Sequence, residues 1–158
     1  MNEIERSIIK NSEYIIKYFE DNNREVTNLM LEKLLYFLEA IYMSITDDNK
    51  LYDEDFYAWN FGPVNDTIYN RYKTFGKYPI KINTKSIIIN QSNKIYIEFL
   101  YNLFKDYTPF DLVTLSHSEG SPWQEINSKY DGEIGRNIII EKSETKKWFK
   151  GIIDESNK

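Results

Sequence analysis

Between Thr27 and Asp47 the chain places Leu31, Leu34, Leu35, Leu38, Ile41, Tyr42 and Ile45 at intervals of three and four, and Met30 and Phe37 widen that stripe almost around the axis. The spacing predicts a helix over about 28–45, capped by Thr27 and stopped by Asp47-Asp48-Asn49. A helix that is apolar on most sides must be covered by neighbours, so this one belongs at the centre of a bundle. The other segments are then candidates for its cover.

An amphipathic helix is expected over about 4–21, with Ile4, Ile8, Ile15, Tyr18 and Phe19 on one side. Gly62-Pro63 reads as the start of a third helix, because a proline at the first helical position has a preset φ and no amide hydrogen to leave unpaired. Val64, Ile68, Tyr69 and Tyr72 would share its face, and Gly76 would close it. From Tyr78 to Ile89 the alternation of Ile80 and Ile82, then Ile87-Ile88-Ile89, predicts extended chain with one short hairpin near 78–90. Ser92 opens a fourth helix of about 93–107, on which Tyr96, Phe99, Leu100, Leu103, Phe104 and Tyr107 keep helical spacing. Thr108-Pro109-Phe110-Asp111 and Ser121-Pro122-Trp123-Gln124 each read as a capping box with proline in the first turn. They predict a short helix of about 109–117 and, after a break at Glu119-Gly120, another from Pro122. Ile138-Ile139-Ile140 reads as extended, and Ser143 as the cap of a last helix that turns Trp148, Phe149 and Ile152 inward. The expected fold class is mainly α: a compact single-domain bundle of about six helices over residues 1–158, with minor short β.

With 41% hydrophobic and 16% aromatic residues and no linker-like tract, the chain has the material for one buried core. It has no cysteine and one histidine, His117, which excludes thiol chemistry and Cys/His metal centres. No cofactor is expected. No apolar run approaches the ~20 residues of a membrane span, and Met1 to Arg6 lacks the features of a secretion signal, so no membrane partner and a cytoplasmic location are expected. Net charge is −5, yet six of the 20 cations and none of the 25 acids fall between Asp66 and Glu98: Arg71, Lys73, Lys77, Lys81, Lys85 and Lys94. This stretch reads first as a solvated face and, as the alternative, as a nucleic-acid-binding patch of an autoregulator.

Residues able to carry catalysis do not form a recognisable set. Ser116-His117 has no Gly-Xaa-Ser-Xaa-Gly elbow, and neighbouring residues on a helix point about 100° apart. His117 is instead expected to end its helix, where its ring suits the free carbonyls. Asp53-Glu54-Asp55 reads as a wet loop, and no glycine pair cradles a phosphate. The expectation is a protein that is not an enzyme. The segment Phe56-Tyr57-Ala58-Trp59-Asn60-Phe61-Gly62-Pro63-Val64 stands out, since Trp and Tyr anchor protein interfaces. Phe56 and Trp59 are expected to plug the bundle, with other members of the segment open to a partner. The candidate partner-binding residues are Trp59, Asn60, Phe61, Gly62, Pro63, Val64, Tyr69, His117 and Trp123, the last more core than anchor.

Three blocks together resemble a known family. Leu29-Met30-Leu31 with Lys33-Leu34-Leu35-Tyr36-Phe37, then Phe56, Ala58-Trp59, Gly62-Pro63-Val64 and Tyr69, then Leu115-Ser116-His117 with Pro122-Trp123, are similar to the motifs of the Panacea domain, the antitoxin domain that includes SocA-like, phage-associated proteins. The match runs in order over about 27–125. Asn60-Phe61 departs from it, standing where members more often carry a basic residue and a tyrosine. The resemblance implies a cytoplasmic bacterial antitoxin that binds and neutralises the cognate toxin encoded by the adjacent gene, often on a prophage or other mobile element. Some relatives deliver their toxin to a cellular protease, which makes such a protease a further partner under this resemblance.

Overall fold

A computed structural model describes residues 3–156 of the chain. Helix α1 (Ile8–Asp21) leads into α2 (Asn28–Thr46), and a loop then delivers the hairpin β1 (Phe56–Trp59) and β2 (Gly62–Val64). Helix α3 (Asp66–Tyr72), α4 (Gln91–Phe104), α5 (Pro109–Ser116) and α6 (Pro122–Lys129) follow, then strand β3 (Ile139–Ile140) and helix α7 (Lys142–Ser156). The sheet order is β2-β1-β3, antiparallel throughout.

Helix α2 is the axis of the molecule, as its all-round apolarity requires. Every residue from Met30 to Met43 is buried, and α1, α4, α5, α7 and β2 pack around it. Ile8, Ile15 and Phe19 cover it from α1, Ile97, Leu100 and Phe104 from α4, Leu112 from α5 and Phe149 from α7. Phe37 sits between Phe104 and Phe149, with ring centroids at 5.0 and 5.8 Å. Each such buried side chain contributes roughly 1.5–3 kcal/mol of transfer free energy, so the hydrophobic term is concentrated on this one helix.

Several local expectations are corrected. Gly62-Pro63 does not start a helix: Gly62 has φ +106°, a left-handed conformation, and Pro63 pairs with Ala58 in the hairpin. The Ala58 amide donates to the Ile138 carbonyl, so Ala58 faces β3 and the opposite Pro63 points its backbone away from β1. A residue without an N–H costs the ladder nothing at that place. Helix α3 starts later, where the Asn65 side chain accepts from the Ile68 amide. The hairpin expected near 78–90 is not formed. That segment is held instead by single bonds such as Ile80 N–H to Val26 O at 2.8 Å, and Ile88 is left exposed. Asn90, not Ser92, caps α4. On α4, Leu100 and Phe104 are buried while Phe99 and Leu103 face outward, and Ile45 at the end of α2 is exposed too. The Thr108 to Asp111 capping box is complete. At Ser121 only half of one forms, because the Gln124 side chain donates to Ser128.

Candidate partner-binding site at the β1–β2 turn

The hairpin is positioned by charged residues on the buried axis. Glu32 and Glu39 lie seven residues apart, on nearly the same face of α2. Glu39 Oε2 accepts the amides of Leu51 and Tyr52 at 3.0 and 2.9 Å, at the start of the loop. Glu32 Oε2 accepts the Asn65 amide at 2.9 Å, just after β2, and Lys33 Nζ donates to the Pro63 carbonyl at 3.0 Å. Two acids and one lysine of α2 thus fasten both ends of the segment that carries the hairpin.

Gly62 is needed at the turn on two counts. Its φ of +106° suits glycine alone, and a Cβ there would lie 2.6 Å from Ser116 Oγ and 2.8 Å from Lys33 Cε. The turn residues are Asn60 and Phe61, both exposed, and Phe61 shows 61% of its surface to solvent. Beneath them Trp123 donates its indole N–H to the Trp59 carbonyl at 2.6 Å and stacks on His117 with centroids 3.5 Å apart and planes 8° from parallel. Trp59 meets Tyr69 edge-on at 5.1 Å, donates its own indole N–H to the Arg136 carbonyl and carries the Arg136 guanidinium over its ring at 4.4 Å.

His117 does end α5, yet its ring does not serve the free carbonyls. It is half-buried against Trp123, Nε2 has no hydrogen-bond partner among the described residues, and burial aided by the Lys33 charge holds its pKa down at about 4. The neutral imidazole stacks; it does not complement the helix dipole. Ser116 donates its hydroxyl to the Val113 carbonyl at 2.7 Å.

A cleft of about 410 Å³ opens beside the turn, lined by Asn28, Glu32, Lys33, Trp59, Phe61 and Tyr69 among others. Of the nine residues expected to bind a partner, Trp59, Asn60, Phe61, Val64 and Tyr69 line this cleft. Gly62, Pro63 and Val64 are buried, so they shape the turn from inside. Trp123 is buried as well and supports Trp59 from below, while Phe56, not Trp59, is the residue that plugs the core. Sequence reasoning missed Asn28, Glu32, Lys73 and Arg136 as parts of the cleft, and it took Lys33 only as one letter of a motif. A signal existed for the α2 members: charges inside a helix that is otherwise apolar on every side are either paired or functional. Nothing local marks Arg136, which reaches the cleft from the turn-rich segment before β3.

Burial pushes the Glu32 carboxyl up and the Lys33 ammonium down, each partly offset by the other's charge. Among the described residues Glu32 Oε1 and Asn28 Oδ1 are buried without hydrogen-bond partners. Among the described residues no group of three or more His, Asp or Glu is placed to hold a metal ion, and no helix is long and apolar enough to cross a membrane.

The class to which this arrangement belongs is shown by a family match: the antitoxin SocA-like Panacea domain matches residues 31–124, from the first turns of α2 to the first turn of α6, and the chain belongs to that family. All nine candidate residues fall inside the matched segment. Among individual proteins, Antitoxin SocA of Caulobacter vibrioides (strain NA1000 / CB15N) is 28% identical over 127 residues, covering 73% of this chain and 67% of that protein. No solved structure matches. Membership in an antitoxin family supports an antitoxin role, with a toxin as the partner in general terms.

Proposed function

We propose that this chain neutralises a protein toxin by binding it directly, without catalysing a reaction, and that the contact is made by Phe61 and the cleft walls around it, with the His117–Trp123 corner alongside. The observation that carries this reading is the exposure of Phe61 on a two-residue turn whose base is held by buried groups: Lys33 on Pro63, Glu32 on Asn65 and Trp123 on Trp59. An aromatic side chain offered on a rigid base loses little conformational entropy on binding, which is the physics of an interface hot spot. The toxin is expected to be encoded beside this gene, in the same cytoplasm, and hand-over to a cellular protease would be a second step built on the same contact.

Co-expression with the neighbouring toxin tests the reading. Phe61→Ala should stay folded and lose rescue, because truncating a hot-spot aromatic costs roughly 2 kcal/mol or more of binding. His117→Ala should weaken rescue as well. If both variants fold and both still protect the cell, the surface lies elsewhere. The alternative, an autoregulator using Arg71 to Lys94, requires promoter binding that weakens steeply with salt; no gel shift at low salt removes it.

A further inference from the structure

The cleft beside Phe61 holds more positive charge than its surroundings use. Arg136 is exposed, lies over the Trp59 ring at 4.4 Å, and has no side-chain hydrogen bond or ion pair among the described residues. The Lys33 ammonium is fully buried and makes one hydrogen bond among the described residues, to the Pro63 carbonyl, although it has three N–H groups to donate. Lys73, the third cation of the lining, donates to the side chain of Asn70 at 3.1 Å. Glu32 is the one carboxyl in the lining, and burial drives it toward its neutral form. The other acid whose charge reaches Glu32 is Asp66, exposed at the first turn of α3. Against these cations stand the apolar surfaces of Leu29, Trp59, Phe61, Val64 and Tyr69.

We propose that this cleft takes an acidic, aromatic-bearing segment of the toxin, with a carboxylate drawn to the Arg136 and Lys73 rim and the neighbouring ring laid against Trp59 and Phe61. The inference rests on the antitoxin reading and adds the chemistry of the partner. An unpaired guanidinium fixed over a tryptophan is pre-oriented for a carboxylate, since its fork of donors is free while its face is occupied. The volume, about 410 Å³, admits one or two side chains and not a folded element. A nucleic-acid strand fits less well. It needs cations in a row along a groove, whereas these three converge on one depression of a chain whose net charge is −5.

The first arm of the test needs no toxin. The intact chain is titrated with acetylated, amidated Glu-Phe-Asp, and with Gln-Phe-Asn and Lys-Phe-Lys as controls, following the indole N–H resonances by NMR. Trp148, which packs against Phe37 away from the cleft, acts as the internal reference for Trp59, while Trp123, whose indole N–H bonds the Trp59 carbonyl, is expected to follow it. The acidic peptide should move the Trp59 resonance and bind at least ~10-fold more tightly than the neutral one, a preference that Arg136→Glu abolishes. Equal binding of the three peptides, tighter binding of the lysine peptide, or displacement of the acidic peptide by a short oligothymidylate would overturn the proposal. With purified toxin, Arg136→Glu should raise Kd by about tenfold or more, and an unchanged Kd would overturn it too. Failure of the peptide arm with rescue intact condemns this inference alone. Failure of wild-type rescue with peptide preference intact condemns the antitoxin reading instead.

Discussion

Two buried acids on the same helix, one heptad apart, meet opposite fates. Glu39 is saturated: both its oxygens take the Lys142 ammonium, at 2.8 and 2.7 Å, Oε2 takes two loop amides as well, and Lys142 spends a further donor on the Glu54 carbonyl. Glu32 takes one amide and leaves Oε1 bare, while its neighbour Lys33 makes a single bond. A satisfied buried network locks structure, whereas a half-satisfied one is costly. The Glu39 end ties α2 to the loop and to α7; the Glu32 end is the floor of the cleft.

Substitution of the two lysines should separate these regions most clearly. Lys142→Met leaves Glu39 buried and unpaired and is expected to cost about 3–5 kcal/mol in urea unfolding. Lys33→Met removes an ammonium that makes a single hydrogen bond and leaves the buried Pro63 carbonyl without that donor, so it should cost less, about 1–3 kcal/mol, while weakening toxin binding. Equal losses for the two would erase the distinction. Gly62→Ala comes next: the left-handed backbone alone costs about 1–2 kcal/mol for a residue with a Cβ, and the contacts with Ser116 and Lys33 add to it. Thermal unfolding measures this, and a neutral outcome would show that the turn relaxes freely.

The smallest effect is a pH dependence confined to the cleft end. His117 has its pKa lowered from 6.5 to about 4. The unfolded chain therefore binds the proton first, so stability present above pH 6.5 is lost as pH falls toward 4. Glu32 and Glu39, both raised by burial, tilt stability the other way over much of that range, since they favour the fold when protonated. The His117 contribution is therefore read as the difference between wild type and His117→Phe, a change that keeps an aromatic ring on Trp123. As the one histidine of the chain, His117 can also be titrated directly by NMR. Lys33→Met should raise its midpoint, because the Lys33 charge is the second cause of the depression. An unmoved midpoint would separate His117 from the unsatisfied end.

Much of the fold could be read without coordinates where the signal is periodic and long. The extent of α2, the proline-led starts of α5 and α6, and the inward Phe149 all follow from apolar spacing or from caps within four residues. Where two elements compete for the same letters, local reading failed. Gly62-Pro63 satisfies the rules for a helix start and equally those for a hairpin edge, and only the pairing of Ala58 with Pro63 and β3 decides. Phe99 and Leu103 keep perfect helical spacing with Leu100 and Phe104, yet a helix has one face against the core and spacing alone does not say how wide that face is.

The amino-acid order by itself determined that a helix apolar all round would become the axis, that no thiol or Cys/His metal chemistry is available, and that an aromatic block would lie beside that axis. Only the tertiary structure decided which buried charges are quenched and which are left with spare bonds, and that Arg136 would come to rest on Trp59 from 77 positions away. The reason is physical: burial and periodicity are properties of neighbouring letters, whereas the state of a buried charge depends on partners that distant segments bring within about 3 Å.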